Sequence, residues 1–164
     1  MTNRSKAKGT AAESAVKAAA EANGIPAVRV ALAGNQDQSD VWLWPINGGA
    51  KVAVEVKAGE QSANPSWTQI DKWFREAETQ AARVSDCDMA VLVCKRKGSG
   101  MAGDWFAWTR ISDLNWWLAT PEAIPHVTSC TTSQRVMMPL GDLLHQLKVG
   151  YYRHHNERTA HGSV

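Results

Sequence analysis

The segment Lys51–Ala58 reads KVAVEVKA, and along a strand its side chains alternate between two faces. Val52, Val54 and Val56 share one face and want a core. Ala53, Glu55 and Lys57 share the other, with Glu55 and Lys57 about 7 Å apart along the strand. Charged groups on an otherwise apolar strand are costly to bury unless partners compensate them. Asp40 opens the preceding strand candidate, Asp40–Trp44, and the turn Pro45–Gly49 closes a hairpin that carries its carboxylate toward Glu55. Two carboxylates converging on a sheet face form a hard-oxygen site suited to Mg²⁺, with Mn²⁺ as a substitute. A lone Glu-x-Lys strand is in most proteins a solvated pair, and an acid after a polar loop is usually a strand-edge charge. The order of the surrounding elements is what gives these residues weight.

Residues 10–23 predict a helix with a small-residue stripe of Ala12, Ala15, Val16 and Ala19, stopped by Asn23-Gly24 ahead of Ile25-Pro26. Glu13 lies on it. Ala27–Leu32 predicts a strand, followed by the polar loop Ala33–Gln38. From Ser66 to about Val84, Trp67, Ile70, Trp73, Phe74, Ala77 and Ala81 recur at helical spacing and predict an amphipathic helix laid on the sheet. Met89–Lys95 reads as a buried strand, Gly98–Gly103 as a turn, and Trp105–Thr109 as a further strand. Short helices are expected at Asp113–Ala119 and Leu140–Leu147, with a last strand at Gln134–Met138. The expectation is an α/β domain whose central mixed sheet of about five strands is flanked by helices. One domain spans 1–152, with 120–152 as a C-terminal extension, and the polar residues 153–164 read as a mobile tail.

The ordered set of helix with Glu13, strand, loop, Asp40, glycine-rich turn, Glu55-Val56-Lys57 and helix resembles the PD-(D/E)xK nuclease superfamily. Within it, the chain is most similar to the archaeal-type Holliday junction resolvases. The resemblance runs from about Arg4 to about Leu118. Arg4–Glu13 (RSKAKGTAAE) is similar to the basic, glycine-containing lead-in before the helix that carries an active-site glutamate. Val28–Gly34 is similar to an arginine-bearing strand and its small-residue loop, and Ser39-Asp40-Val41 stands where the family has Pro-Asp and an aliphatic residue. Val54-Glu55-Val56-Lys57 matches the Glu-x-Lys strand, and Gln69 aligns with a glutamine that many members place early in the next helix. The chain departs from the pattern at Ser39, in place of proline, and at Ala33, where resolvases often carry a serine.

The resemblance implies a restriction-endonuclease-like core and Mg²⁺-dependent hydrolysis of phosphodiester bonds at four-way junctions, leaving a 5′-phosphate. The alternatives are an endonuclease of flaps, forks or foreign duplex, and a non-catalytic DNA-binding module. It implies that Asp40, Glu55 and the main-chain carbonyl of Val56 hold the metal and that Glu13 completes or supports that site. Lys57 orients water or offsets charge on the phosphate, and Gln69 supports the water or Lys57. Arg4, Lys6, Lys8, Arg29 and the run Lys95, Arg96, Lys97 are the expected phosphate contacts, and two symmetric nicks imply a homodimer.

Composition sets looser bounds. A 44% hydrophobic and 21% charged chain of 164 residues can bury its own core, and no apolar run approaches the ~20 residues of a membrane helix. A net charge of +2 does not by itself announce nucleic acid. Cys87, Cys94 and Cys130 are an odd count without paired spacing, expected to be free thiols. No apolar leader follows the basic N-terminus, which places the chain in the cytoplasm, prokaryotic or of a host. No small-molecule cofactor is expected. The tryptophans Trp105, Trp108, Trp116 and Trp117 fit core packing, with a dimer face as their other use.

Overall fold

The computed structural model describes residues 3–30, 39–45, 51–118 and 135–149. Expectations placed on Ala33 and its loop, on the 46–50 turn, on Cys130 and on the tail after 152 lie outside the described residues. So do the side chains of Arg4, Trp116 and Trp117.

Helix α1 spans Asn3–Ala22 and starts seven residues before the expected position. The reason is propensity, since Lys, Arg and Ala favour helix and Gly9 alone costs about 1 kcal/mol. Lys6 and Lys8 therefore project from helical turns rather than from an extended lead-in, and both are exposed. The expected stripe is present: Ala12, Val16 and Ala20 are buried, with Ala15 and Ala19 packed beside them. The helix ends where the sequence said it should. Gly24 takes φ +77, its N–H donates to Glu21 O at 2.9 Å, and Ile25 N–H donates to Ala20 O at 3.0 Å. This Schellman-type close needs a left-handed residue, which glycine supplies.

Strands β1 (Ala27–Arg29), β2 (Val41–Leu43) and β3 (Lys51–Lys57) form an antiparallel meander. Helix α2 (Trp67–Ala81), capped by the Ser66 hydroxyl, then crosses over to β4 (Cys87–Cys94), which runs parallel to β3. β5 (Phe106–Arg110), α3 (Ile111–Leu118), β6 (Arg135–Pro139) and a helix α4 over 140–149 follow. The mixed sheet has six strands in the order β1-β2-β3-β4-β5-β6, flanked by helices. The sixth is the last strand expected near residue 136, paired antiparallel to β5 through Ala107 and Met138.

Strand parity divides the core. On one face Val52, Val54, Val91 and Val93 pack with the α1 stripe, Trp105 and the leucines of α4. On the other, Ile70 and Phe74 of α2 cover Leu92, Cys94 and Trp108, while Ala81 packs on Ala53 and Ala90. Trp105 and Trp108 are thus core residues. Among the described residues no helix is long and apolar enough to cross a membrane.

Candidate active site

The β2–β3 register sets Val41 opposite Val54, so Asp40 stands one step beyond, level with Glu55. Asp40 N–H donates to Val54 O at 3.0 Å, and Asp40 Oδ2 accepts from Val56 N–H at 2.7 Å. Main-chain groups alternate sides along β3, those of Glu55 and Lys57 serving β4 and those of Val54 and Val56 facing β2. The Val56 carbonyl therefore faces the space past the end of β2 that the Asp40 carboxylate enters. Two carboxylates and one carbonyl meet at the end of two adjacent strands.

Glu55 is only 7% exposed. Its Oε1 lies 2.6 Å from Lys57 Nζ, which is also 3.6 Å from Glu76 Oε2 on α2. Burial alone would lower the lysine's pKa, but Glu55, Glu76 and Asp40 together raise it, so Lys57 is a firm cation. Asp40 shows the opposite strain: burial and then the charge of Glu55 push its carboxyl up to about 7, against the pull of the Val56 N–H. Two close acids share too little positive charge, and a cation between them relieves both. Cys94, in register with Lys57 on β4, is buried and its thiol is pushed up to about 12, so it supplies no thiolate at neutral pH. Cys87 and Cys94 are both free thiols.

A pH dependence follows. A carboxyl whose folded pKa is raised favours folding while protonated, below its unfolded value of 3.8, and loses that contribution as pH rises through about 7. In EDTA, the stability of the wild type relative to Asp40→Asn should fall by a few kcal/mol, at ~1.4 kcal/mol per unit, between pH 4 and pH 8. Urea melts of both proteins across that range read the difference, and a flat difference would contradict the assigned strain.

Asp40 is held from behind. Ser39 sits in the left-handed region at φ 55, and its N–H donates to Gln80 Oε1 at 3.1 Å. Both residues are buried. Among the described residues the Ser39 hydroxyl has no partner, so the contact seen runs through its backbone. The sequence reading missed Gln80 and Glu76, the two α2 residues that touch the cluster. The signal was Gln80 in the apolar stripe of α2, three residues after Ala77, where only a polar group with a partner is tolerated.

The expected helpers divide. Glu13 is close enough for its charge to raise Asp40, but its carboxylate pairs with Arg29 at 3.2 Å. Arg29 is opposite Val41 in the sheet, so this ion pair flanks Asp40 on the β1 side. Gln69 is at the start of α2, where its main-chain N–H meets the Ser66 cap at 3.2 Å. Among the described residues its side chain makes no hydrogen bond to the cluster; it lies about two turns from Glu76. Lys95, Arg96 and Lys97 are exposed, and Lys95 N–H donates to Lys57 O at 2.9 Å, which places that loop beside the lysine. Lys8 borders a 240 Å³ recess with Ala58, Gly59 and Glu60, just past the end of β3.

Among the described residues, no three His, Cys, Asp or Glu side chains are gathered into one metal-binding cluster. The oxygen donors that could hold a cation here are Asp40, Glu55 and the Val56 carbonyl, a set small enough to leave waters on an ion such as Mg²⁺. The chain matches no family model, and neither the curated proteins nor the solved structures include a match to it.

Proposed function

We propose that this chain is a metal-dependent DNA endonuclease of the PD-(D/E)xK kind, with a restriction-endonuclease-like core. The observation that carries the reading is the pairing of two close acids with a firm cation: a strained Asp40 fixed on the Val56 N–H beside a buried Glu55 that holds Lys57 at 2.6 Å. The element order from α1 to β4 supports it, because Glu13, Asp40, Glu55 and Lys57 occupy the places the resemblance assigns. Asp40, Glu55 and the Val56 carbonyl would hold Mg²⁺ or Mn²⁺, which when bound supplies Lewis-acid charge against the scissile phosphate. Lys57 sets its ammonium beside the two carboxylates, where it can hold a water by hydrogen bond or offset charge on a non-bridging oxygen. Glu76 and Glu55 keep that ammonium charged and aimed. Gln80 and Ser39 fix where the Asp40 carboxylate arrives. Lys8 and the loop of Lys95, Arg96 and Lys97 contact backbone phosphates without reading sequence.

The narrower reading is a Holliday junction resolvase acting as a homodimer on two strands. A cleavage assay in Mg²⁺ on a four-way junction, a flap and a linear duplex of matching sequence separates it from a general nuclease. Junction cleavage at least about tenfold faster is expected; equal rates would remove the resolvase label and leave the nuclease. A second reading, a DNA-binding module without catalysis, is favoured by the engagement of Glu55 with Lys57 and of Glu13 with Arg29. It predicts binding without cutting on all three substrates.

A further inference from the structure

Helix α2 carries a second charged surface outside the acid–lysine cluster. Lys72 and Arg75 lie on its outward face, opposite the buried Ile70, Phe74 and Ala77, Arg83 follows in the turn just past its end, and all three are exposed. They line an open groove of about 610 Å³. The groove also reaches Glu76 and Gln80, the residues that contact Lys57 and Ser39. The outward face is therefore continuous with the cluster. Its two carboxylates are already engaged, Asp71 with Arg135 and Glu76 with Lys57. None of the three cations is in an ion pair with a described residue. A solvated amphipathic helix commonly alternates charge signs on its outward face, whereas here the excess is all positive.

We infer that the α2 groove is a docking track for the phosphate backbone of a DNA duplex, entering the cluster from the Glu76 and Gln80 side. The inference rests on the nuclease reading for its choice of polyanion. From Lys72 to Ala81 the helix rises roughly 14 Å at 1.5 Å per residue, the length of about four phosphates of one strand, and Arg83 extends the track just beyond. Exposed cations that hold phosphates in this way release counterions, and the contact is independent of sequence.

The test uses the full chain in EDTA, so that nothing is cut, and measures binding of a short labelled duplex by anisotropy over a range of salt. The triple variant Lys72→Gln, Arg75→Gln, Arg83→Gln should bind at least about tenfold more weakly in moderate salt. Its slope of log affinity against log salt should be shallower by about 2 to 3, at ~0.9 per phosphate lost. Single Arg75→Gln should remove about one contact, and circular dichroism should show both variants folded as wild type. An unchanged slope in the triple variant overturns the track, and so does a wild type that binds no duplex. Adding Mg²⁺ to the wild type separates the two ideas. Cutting with an unchanged variant slope keeps the nuclease and loses the track, while a reduced slope without any cutting keeps the track and loses the nuclease.

Discussion

Lys57→Ala and Glu55→Gln should each cut DNA about 10³-fold more slowly than wild type in single-turnover assays with Mg²⁺, while binding measured in EDTA changes little. Removing one group that holds the metal or meets developing charge costs on the order of 10² to 10³-fold. The arrangement gives the two changes different side effects. Lys57→Ala leaves Glu55, 7% exposed, without the ammonium at 2.6 Å, so that variant should also melt earlier. Glu55→Gln keeps a hydrogen-bond acceptor for Lys57 and removes a charge that strains Asp40. It should hold or gain stability while losing cleavage. Loss of activity with two opposite effects on melting cannot be ascribed to unfolding. Normal cutting by either variant would end the nuclease proposal.

Ser39→Pro should be strongly damaging although it lies outside the acid–lysine cluster. Proline fixes φ near −65°, whereas Ser39 stands at +55, and proline has no N–H to give Gln80 Oε1. Incompatible backbone and a lost buried hydrogen bond together should cost on the order of 3 kcal/mol. A thermal melt should fall by roughly 6–12 °C, and the cleavage rate should fall with it because Asp40 is the next residue. Ser39→Gly, which tolerates the left-handed conformation and loses a hydroxyl with no partner among the described residues, should stay within about 1 kcal/mol of wild type. A proline variant that melts with the wild type would show that the Ser39 and Gln80 contact does not set the backbone.

Alternation made much of the site legible. Period two in KVAVEVKA put Glu55 and Lys57 on the face opposite the valines, and the structure lays that face under α2, which the sequence reading places on the sheet without assigning a side. The helical spacing of Ile70, Phe74 and Ala77 likewise identified the buried side of α2. What escaped was set by separation along the chain. The bond from Ser39 to Gln80 joins residues 41 apart, and no local pattern encodes which turn of a helix will pass over which end of a strand. For the same reason Glu76, the α2 residue that reaches Lys57, was not legible, and the helix residue named, Gln69, comes from the resemblance. The early start of α1 is a different failure, in which a basic stretch read as a phosphate-binding arm was also a good helix former.

The division of β3 into two faces also bears on how such a chain can change over time. Val52 and Val54 answer to the α1 side of the core, and Glu55 and Lys57 to the α2 side, although they are neighbours in sequence. Drift at the valines adjusts the margin of stability and leaves the charges where they are. Drift at the charges changes what the α2 side presents while the valine core on the other side stays packed. The two faces can therefore diverge separately along a lineage, one setting how firmly the chain folds and the other which charges it offers.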